Sequence, residues 1–222
     1  MRVEPHPEVP ASVIESPVAA DRLTTLRDAT TGHTAFRRAL VDLGRTAGHA
    51  VADAVGTDPV TVETPLATAE GARLGDDGVV LVAVLRAAVP FVEGIQSVLP
   101  RASQGVVSAS RDESARRPDG RFPVAVEYAN VPDTDGRTVV VADPMLATGS
   151  TATAVLDAIG GDPDRTIVLA AVSAPAGVER VADAGAGAEV LTVAVDDRLD
   201  EDGYIVPVLG DAGDRAFGTE SS

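Results

Sequence analysis

The chain of 222 residues has no cysteine, so disulfides, thiolate nucleophiles and Cys-based zinc sites are excluded from the start. It also has no lysine: all 18 basic residues are arginine, set against 34 Asp and Glu for a net charge of −16. A surface of that sign repels the phosphate backbone, which argues against nucleic-acid binding. It suits a dispersed protein in a salt-rich cytoplasm, where screening quiets self-repulsion. Aromatics make up only 3 % of residues, so Val, Ala and Leu must build the core. Long hydrophobic runs are missing too. The stretches at 79–85 and 167–172 fall far short of the roughly 20 residues of a membrane span. The start, MRVEPHPEVP, has no apolar segment of the signal-peptide kind. The expectation is a cytoplasmic protein with no membrane association.

The length fits one sizeable α/β domain. Residues 1–20 hold four of the 15 prolines and read as an extended N-terminal arm, with a single domain over 21–222. From Ala35 to Val55 apolar residues recur at helical spacing. Four β-branched runs follow at 79–85, 138–142, 166–172 and 189–195, with helical segments at 88–99, 151–159 and 176–184 between them. Apolar strands alternating with helices predict a parallel sheet covered on both faces. Residues 102–136 break the alternation with charge and proline, as a hood or hairpin over a site would.

Open α/β sheets bind ligands beyond the carboxyl ends of their strands, so the residues that follow each strand are the candidates. Arg86 ends the first strand, where it either meets an anion or forms a structural ion pair. After the second strand comes ADPMLATGSTATAVL. A Walker A loop needs a lysine, and the dinucleotide fingerprint finds only Gly185 and Gly187, which precede a strand. What remains at 147–151 is a turn of small and hydroxylated residues at a helix start. Gly149 allows the backbone to curl, and the unpaired N–H groups with Thr148, Ser150 and Thr151 make an anion cup without lysine. Asp143 would repel a phosphate, but it fits as an acceptor for sugar hydroxyls beside one. A hydroxyl N-cap, with Asp143 closing a turn, is the alternative. Near the C-terminus, LGDAGD brackets Asp211 between glycines, which brings backbone groups close to a flat polar ligand or simply makes a tight turn. The acidic run DDRLDED lacks calcium-loop spacing and reads as a solvated face. His6, His33 and His49 lie far from these loops, and no Ser–His–Asp arrangement emerges.

Four stretches in order, VLRAAVPFVEG, SRDES, DPMLATGST and LDEDGYIVPVLGDAGDRAFGT, resemble the uracil phosphoribosyltransferases, a type I phosphoribosyltransferase family. The resemblance spans about Leu26 to Thr219. It implies the type I phosphoribosyltransferase fold and transfer of phosphoribosyl from phosphoribosyl pyrophosphate (PRPP) to N1 of uracil, giving UMP and pyrophosphate. Arg86 and Arg111 would contact the pyrophosphate and Asp143 the ribose hydroxyls. The loop Pro144, Met145, Leu146, Ala147, Thr148, Gly149, Ser150 and Thr151 would hold PRPP, with residues 147–151 on its 5′-phosphate. Ile205, Gly210, Asp211 and Ala212 would bind uracil, and Asp211 would also lie near PRPP or Mg²⁺. Asp143, Arg111 and Asp211 are then the expected catalytic residues, Mg²⁺ the expected cofactor, and a homo-oligomer (dimer or tetramer) the expected assembly. Ser150, Ala88, Pro90 and Val208 stand where the family usually has Gly, and Ser110 where it has Tyr. These departures keep two alternatives open: a non-catalytic PRPP or nucleotide sensor, or a transferase for a different nucleobase.

Overall fold

Val79, Leu81 and Ala83 pack into one hydrophobic cluster while Val80, Val82 and Val84 pack into another, so the strand at 79–85 is buried on both faces. That is the physical meaning of its unbroken apolar run. A computed structural model describes residues 1–111, 123–184 and 187–219. In chain order its elements are β1 (Arg2–Pro5), β2 (Ala11–Glu15), α1 (Pro17–Arg27), α2 (His33–Val55), β3 (Thr57–Glu63) and β4 (Thr68–Leu74). Next come β5 (Val79–Leu85), α3 (Ala88–Gln96), β6 (Ser103–Arg111), β7 (Val124–Asn130), β8 (Thr138–Ala142), β9 (Met145–Leu146) and α4 (Ser150–Ile159). The chain then forms β10 (Arg165–Ser173), α5 (Pro175–Asp183), β11 (Glu189–Val195), β12 (Arg198–Leu199), β13 (Ile205–Val206) and α6 (Ala212–Phe217).

The main sheet runs in the order β1-β2-β11-β10-β8-β5-β6-β7, with β9 also paired to β10. Strands β2 through β6 of that order are mutually parallel, and β1 and β7 close the two edges as antiparallel partners. Helices α1, α2, α3 and α6 cover one face, and α4 and α5 the other. On the first face α2 and α3 cross at glycines. A Cβ on Gly44 would lie 2.0 Å from the Phe91 carbonyl, and one on Gly94 2.0 Å from that of Val41, so only glycine permits this approach.

Residues 1–20, read as an extended arm, form the β1–β2 hairpin, which attaches to the sheet through β2 and β11, and the stretch ends in the first turn of α1. The prolines that read as an extended chain are punctuation. Pro5 ends β1, Pro7 and Pro10 lie in the connecting bends, and Pro17 occupies the first turn of α1, where its missing N–H costs nothing. The expected hood is an antiparallel pair, β6 and β7; its span 112–122 lies outside the described residues. The β3–β4 hairpin is an element that the sequence pattern did not reveal, since most of its residues are exposed on both faces.

Strand order fixes where a ligand can enter. From β5 the chain moves outward to β6 and β7, then returns to β8 on the other side of β5 and continues outward to β10. The carboxyl ends of β5 and β8 therefore diverge at a topological switch point, which opens a crevice. Among the described residues no helix is long and apolar enough to cross a membrane.

Candidate active site

The crevice at the switch point is a cavity of about 240 Å³. Strand ends deliver three of its four charged groups: Arg86 follows β5, Arg111 ends β6, and Asp143 follows β8. The register makes this unavoidable, because Ala83 pairs with Ala142 and Leu85 with Ser108.

Asp143 is half-buried and held from both sides. Its N–H donates to the Leu169 carbonyl at 3.1 Å, and its Oδ1 accepts the Met145 N–H at 3.1 Å. The expected turn closure is therefore real, and the carboxyl lines the cavity as well. Burial raises its pKa from 3.8 to about 6; the Met145 N–H and the Arg111 charge oppose that rise, and the Asp211 charge adds to it.

The loop that follows is bracketed by β9, where Met145 pairs with Val172 and Leu146 with Ser173. Gly149 adopts φ +75° at the start of α4, a left-handed conformation that glycine enters without strain. The helical ladder of α4 begins with the Thr153 N–H donating to the Gly149 carbonyl at 3.0 Å, so the N–H groups of Thr151 and Ala152 precede it. Thr148, Gly149, Thr151 and Ala152 all line the cavity. Together they form a cup of backbone donors at the positive end of a helix.

Across the cavity, Ile205, Gly210, Asp211 and Ala212 line the opposite wall. Asp211 Oδ1 accepts the Asp214 N–H at 2.7 Å and so caps α6. Arg86 forms an ion pair with Asp214, and its guanidinium lies 5.7 Å from the centre of the Phe217 ring. Arg86 thus forms the ion pair that was one of its two readings, and its side chain remains half-exposed at the cavity.

Nearly the whole chain matches a known pattern: a family profile described as uracil phosphoribosyltransferase aligns with residues 13–219. The chain belongs to the uracil phosphoribosyltransferase family. Proteins named uracil phosphoribosyltransferase from Natronomonas pharaonis and Haloarcula marismortui are 54 % and 53 % identical to it, over 94 % of this chain and 96 % of theirs. One from Methanothermobacter thermautotrophicus is 41 % identical over 94 % of this chain and 95 % of its own. Among solved structures, a protein from Aquifex aeolicus superposes with TM-score 0.86 at 28 % identity, covering 95 % of this chain and 99 % of that one. An adenine phosphoribosyl transferase from Trypanosoma brucei, at TM-score 0.56 and 12 % identity over 95 % of this chain and 92 % of its own, shares the fold alone.

The departures from the uracil phosphoribosyltransferase motifs fall mostly away from the cavity. Val208 is 8 % exposed and belongs to the main hydrophobic cluster rather than to the cavity wall. Among the described residues no non-glycine residue has positive φ, so Val208 carries no left-handed strain. Ala88 and Pro90 are buried in the first turn of α3, where a proline is tolerated. Ser110 donates to Glu127 Oε1 at 2.7 Å across the β6–β7 pair. Ser150 is 6 % exposed and, like Pro144, lies behind the lining instead of on it.

Tyr204 and Gly213 line the wall as well; neither was singled out as a site residue, although both lie in the C-terminal motif and Gly213 is the second glycine bracketing Asp211. Asp200, within the run read as a solvated face, accepts the Tyr204 N–H at 2.8 Å and the Asp202 N–H at 3.0 Å and so shapes the turn before Tyr204. An Asp at the start of such a turn is the one signal that was available.

Proposed function

We propose that the cavity divides a single transfer among three groups of residues, with PRPP and uracil as its substrates. The backbone cup at 147–151 takes the 5′-phosphate, Asp143 accepts the ribose hydroxyls, and Arg86 with Arg111 holds the pyrophosphate. Ile205 and Gly210 to Ala212 present backbone groups to the amide edge of uracil. The N1–C1 bond forms as the bond from C1 to the pyrophosphate oxygen breaks, and the N1 proton is released. Positive charge develops on the ribose while negative charge collects on the leaving group. Such a reaction asks the protein to align two reactants and to neutralise pyrophosphate, and planar Arg forks suit pyrophosphate oxygens. That explains a cavity built without His or Cys. The single observation that carries the reading is the convergence of Arg86, Arg111 and Asp143 at the switch point beside the cup.

Asp143 and Asp211 interact electrostatically across the cavity, and no cluster of three or more acidic or His ligands occurs among the described residues. Two carboxylates fit Mg²⁺, which commonly takes one or two protein carboxylates and fills its shell with water and substrate phosphate oxygens. Mg²⁺ held there would supply positive charge beside the pyrophosphate. The same reading takes the chain as a cytoplasmic homo-oligomer, a dimer or tetramer, which light scattering in molar KCl measures.

The test is pyrophosphate release by the purified chain in high salt with PRPP, Mg²⁺ and a panel of nucleobases. Release with uracil alone is expected. Tight PRPP binding without release would replace the enzyme by a sensor, and release with another base would change the substrate.

A further inference from the structure

Arg180, on α5, has no place in the cavity wall, yet it reaches the back of the phosphate cup. Its Nη1 donates to the Thr148 carbonyl and, at 3.4 Å, to Ser150 Oγ. Thr148 Oγ1 donates to Ser150 Oγ at 3.2 Å and accepts the Ser150 N–H at 3.4 Å. Helix α5 presses closely on the loop here. A Cβ on Gly177 would lie 2.5 Å from the Ala147 carbonyl, and one on Gly149 2.9 Å from that of Gly177.

The direction of the Thr148 carbonyl matters because a trans peptide is planar, with C=O and N–H on opposite sides. The Thr148–Gly149 bond is not among the cis peptides of the chain. A carbonyl drawn back towards α5 therefore turns the Gly149 N–H the other way, to the side on which Gly149 lines the cavity. Without that tether the peptide could rotate, presenting a carbonyl where an anion should bind. The guanidinium also polarises the peptide it holds, which strengthens the N–H as a donor.

We propose that Arg180 is a positioning residue for the 5′-phosphate, fixing the Thr148–Gly149 peptide so that its N–H faces the ligand. Ser150 is the second point of that latch. Its hydroxyl joins Thr148 to Arg180 from behind the cup, at a position where the family motif usually has glycine. The inference rests on residues 147–151 being the phosphate cup.

The experiment compares steady-state kinetics and melting temperature of the full chain with Arg180→Met, Arg180→Lys, Ser150→Ala, the Arg180→Met/Ser150→Ala double variant and Thr151→Val. Arg180→Met is expected to raise the KM for PRPP about tenfold, with kcat changed less than about threefold and the KM for uracil unmoved. Arg180→Lys restores part of the loss, since it keeps a charged donor. Ser150→Ala raises the PRPP KM less, and adds little to Arg180→Met because both act through one peptide. A folded Arg180→Met with PRPP KM within about twofold of the parent overturns the proposal, as does a lower melting temperature with unchanged KM. If Arg180→Met does not fold, an unchanged PRPP KM in Ser150→Ala overturns it equally. Thr151→Val separates the two layers. A raised PRPP KM there beside an unaffected Arg180→Met removes only the latch, whereas an unchanged PRPP KM in both Thr151→Val and Arg180→Met counts against the cup as well as the latch.

Discussion

Replacing Asp143 by Asn should make the protein more stable and less active at once. The carboxyl is held among the ends of β5, β6 and β8, and burial lifts its pKa from 3.8 to about 6. One pH unit of such a gap is worth about 1.4 kcal/mol, so ionised Asp143 costs the folded state about 3 kcal/mol at neutral pH. The sign follows from proton binding. Between 3.8 and about 6 the folded chain binds the proton that the unfolded chain has lost, so stability falls as pH rises through that window. Asn keeps an oxygen for the Met145 N–H and carries no charge to desolvate. Asp143→Asn should then exceed the parent by up to about 3 kcal/mol at pH 7.5, roughly 6–10 °C in melting temperature for a chain of this size. At pH 5 the advantage should shrink to about half, because the folded parent is by then largely protonated. Thermal melts in constant high salt at the two pH values read this directly. Turnover should fall at least about tenfold, since the neutral amide is a poorer acceptor for two ribose hydroxyls. A variant no more stable than the parent at pH 7.5, or one whose gain does not depend on pH, would refute the desolvation argument; unchanged turnover would remove Asp143 from the chemistry.

Arg86→Gln should lower kcat/KM for PRPP by about a hundredfold, through loss of a charged fork at the leaving group, while the half-exposed pair with Asp214 contributes at most about 1 kcal/mol to stability; a kinetic loss below about threefold would contradict this role. Gly149→Ala forces a side chain into φ +75° and against the Gly177 carbonyl at 2.9 Å. Its cost is expected at about 1–3 kcal/mol with a raised KM for PRPP, and denaturant melts with initial rates check both. The melting temperature of the parent should climb steeply with KCl up to about 1 M, where the Debye length shrinks to about 3 Å and the repulsion from a net charge of −16 is screened; a flat salt profile would show that charge is not what limits stability.

The strands of the parallel core were legible because burial on both faces leaves no polar position to interrupt the run, as in Val79–Leu85 and Thr138–Ala142. Helix α2 was legible for the complementary reason: a single apolar stripe ending in Leu40, Leu43, Ala47 and Val51 against the sheet. The β1–β2 hairpin was not, because proline spacing in a short segment says where the chain bends but not what the pieces between the bends pair with. Nor was β3–β4, whose residues alternate into solvent on both sides and so leave no burial pattern. In the site, Arg86, Asp143 and the 147–151 turn could be read from their place after a strand, whereas Arg111 came only with the family resemblance, because its strand β6 carries too much polar sequence to stand out as an apolar run. Groups that reach the site across the fold could not. Asp214 meets Arg86 from 128 positions away and Arg180 meets Thr148 from 32, and nothing in either local sequence announces the partner.

The same distinction explains why substitutions in the most recognisable motifs need not disturb the chemistry. A glycine in a binding loop serves one of two ends: it permits a positive φ, or it leaves room for ligand or backbone. At Gly149 and Gly210 the backbone has φ +75° and +71°, and both line the cavity, so the first function is in use there. At Val208 neither applies. The backbone is on the ordinary side of φ, and the side chain is buried in the main hydrophobic cluster, off the cavity lining. A Val side chain buried in that place contributes about 1.5–3 kcal/mol. Ser150 follows the same logic, with a hydroxyl off the cavity lining and bonded within the loop. Ile205 and Gly210 to Ala212, whose backbone the proposed reading assigns to the base, line the cavity, and a motif letter changes behind them without entering that lining.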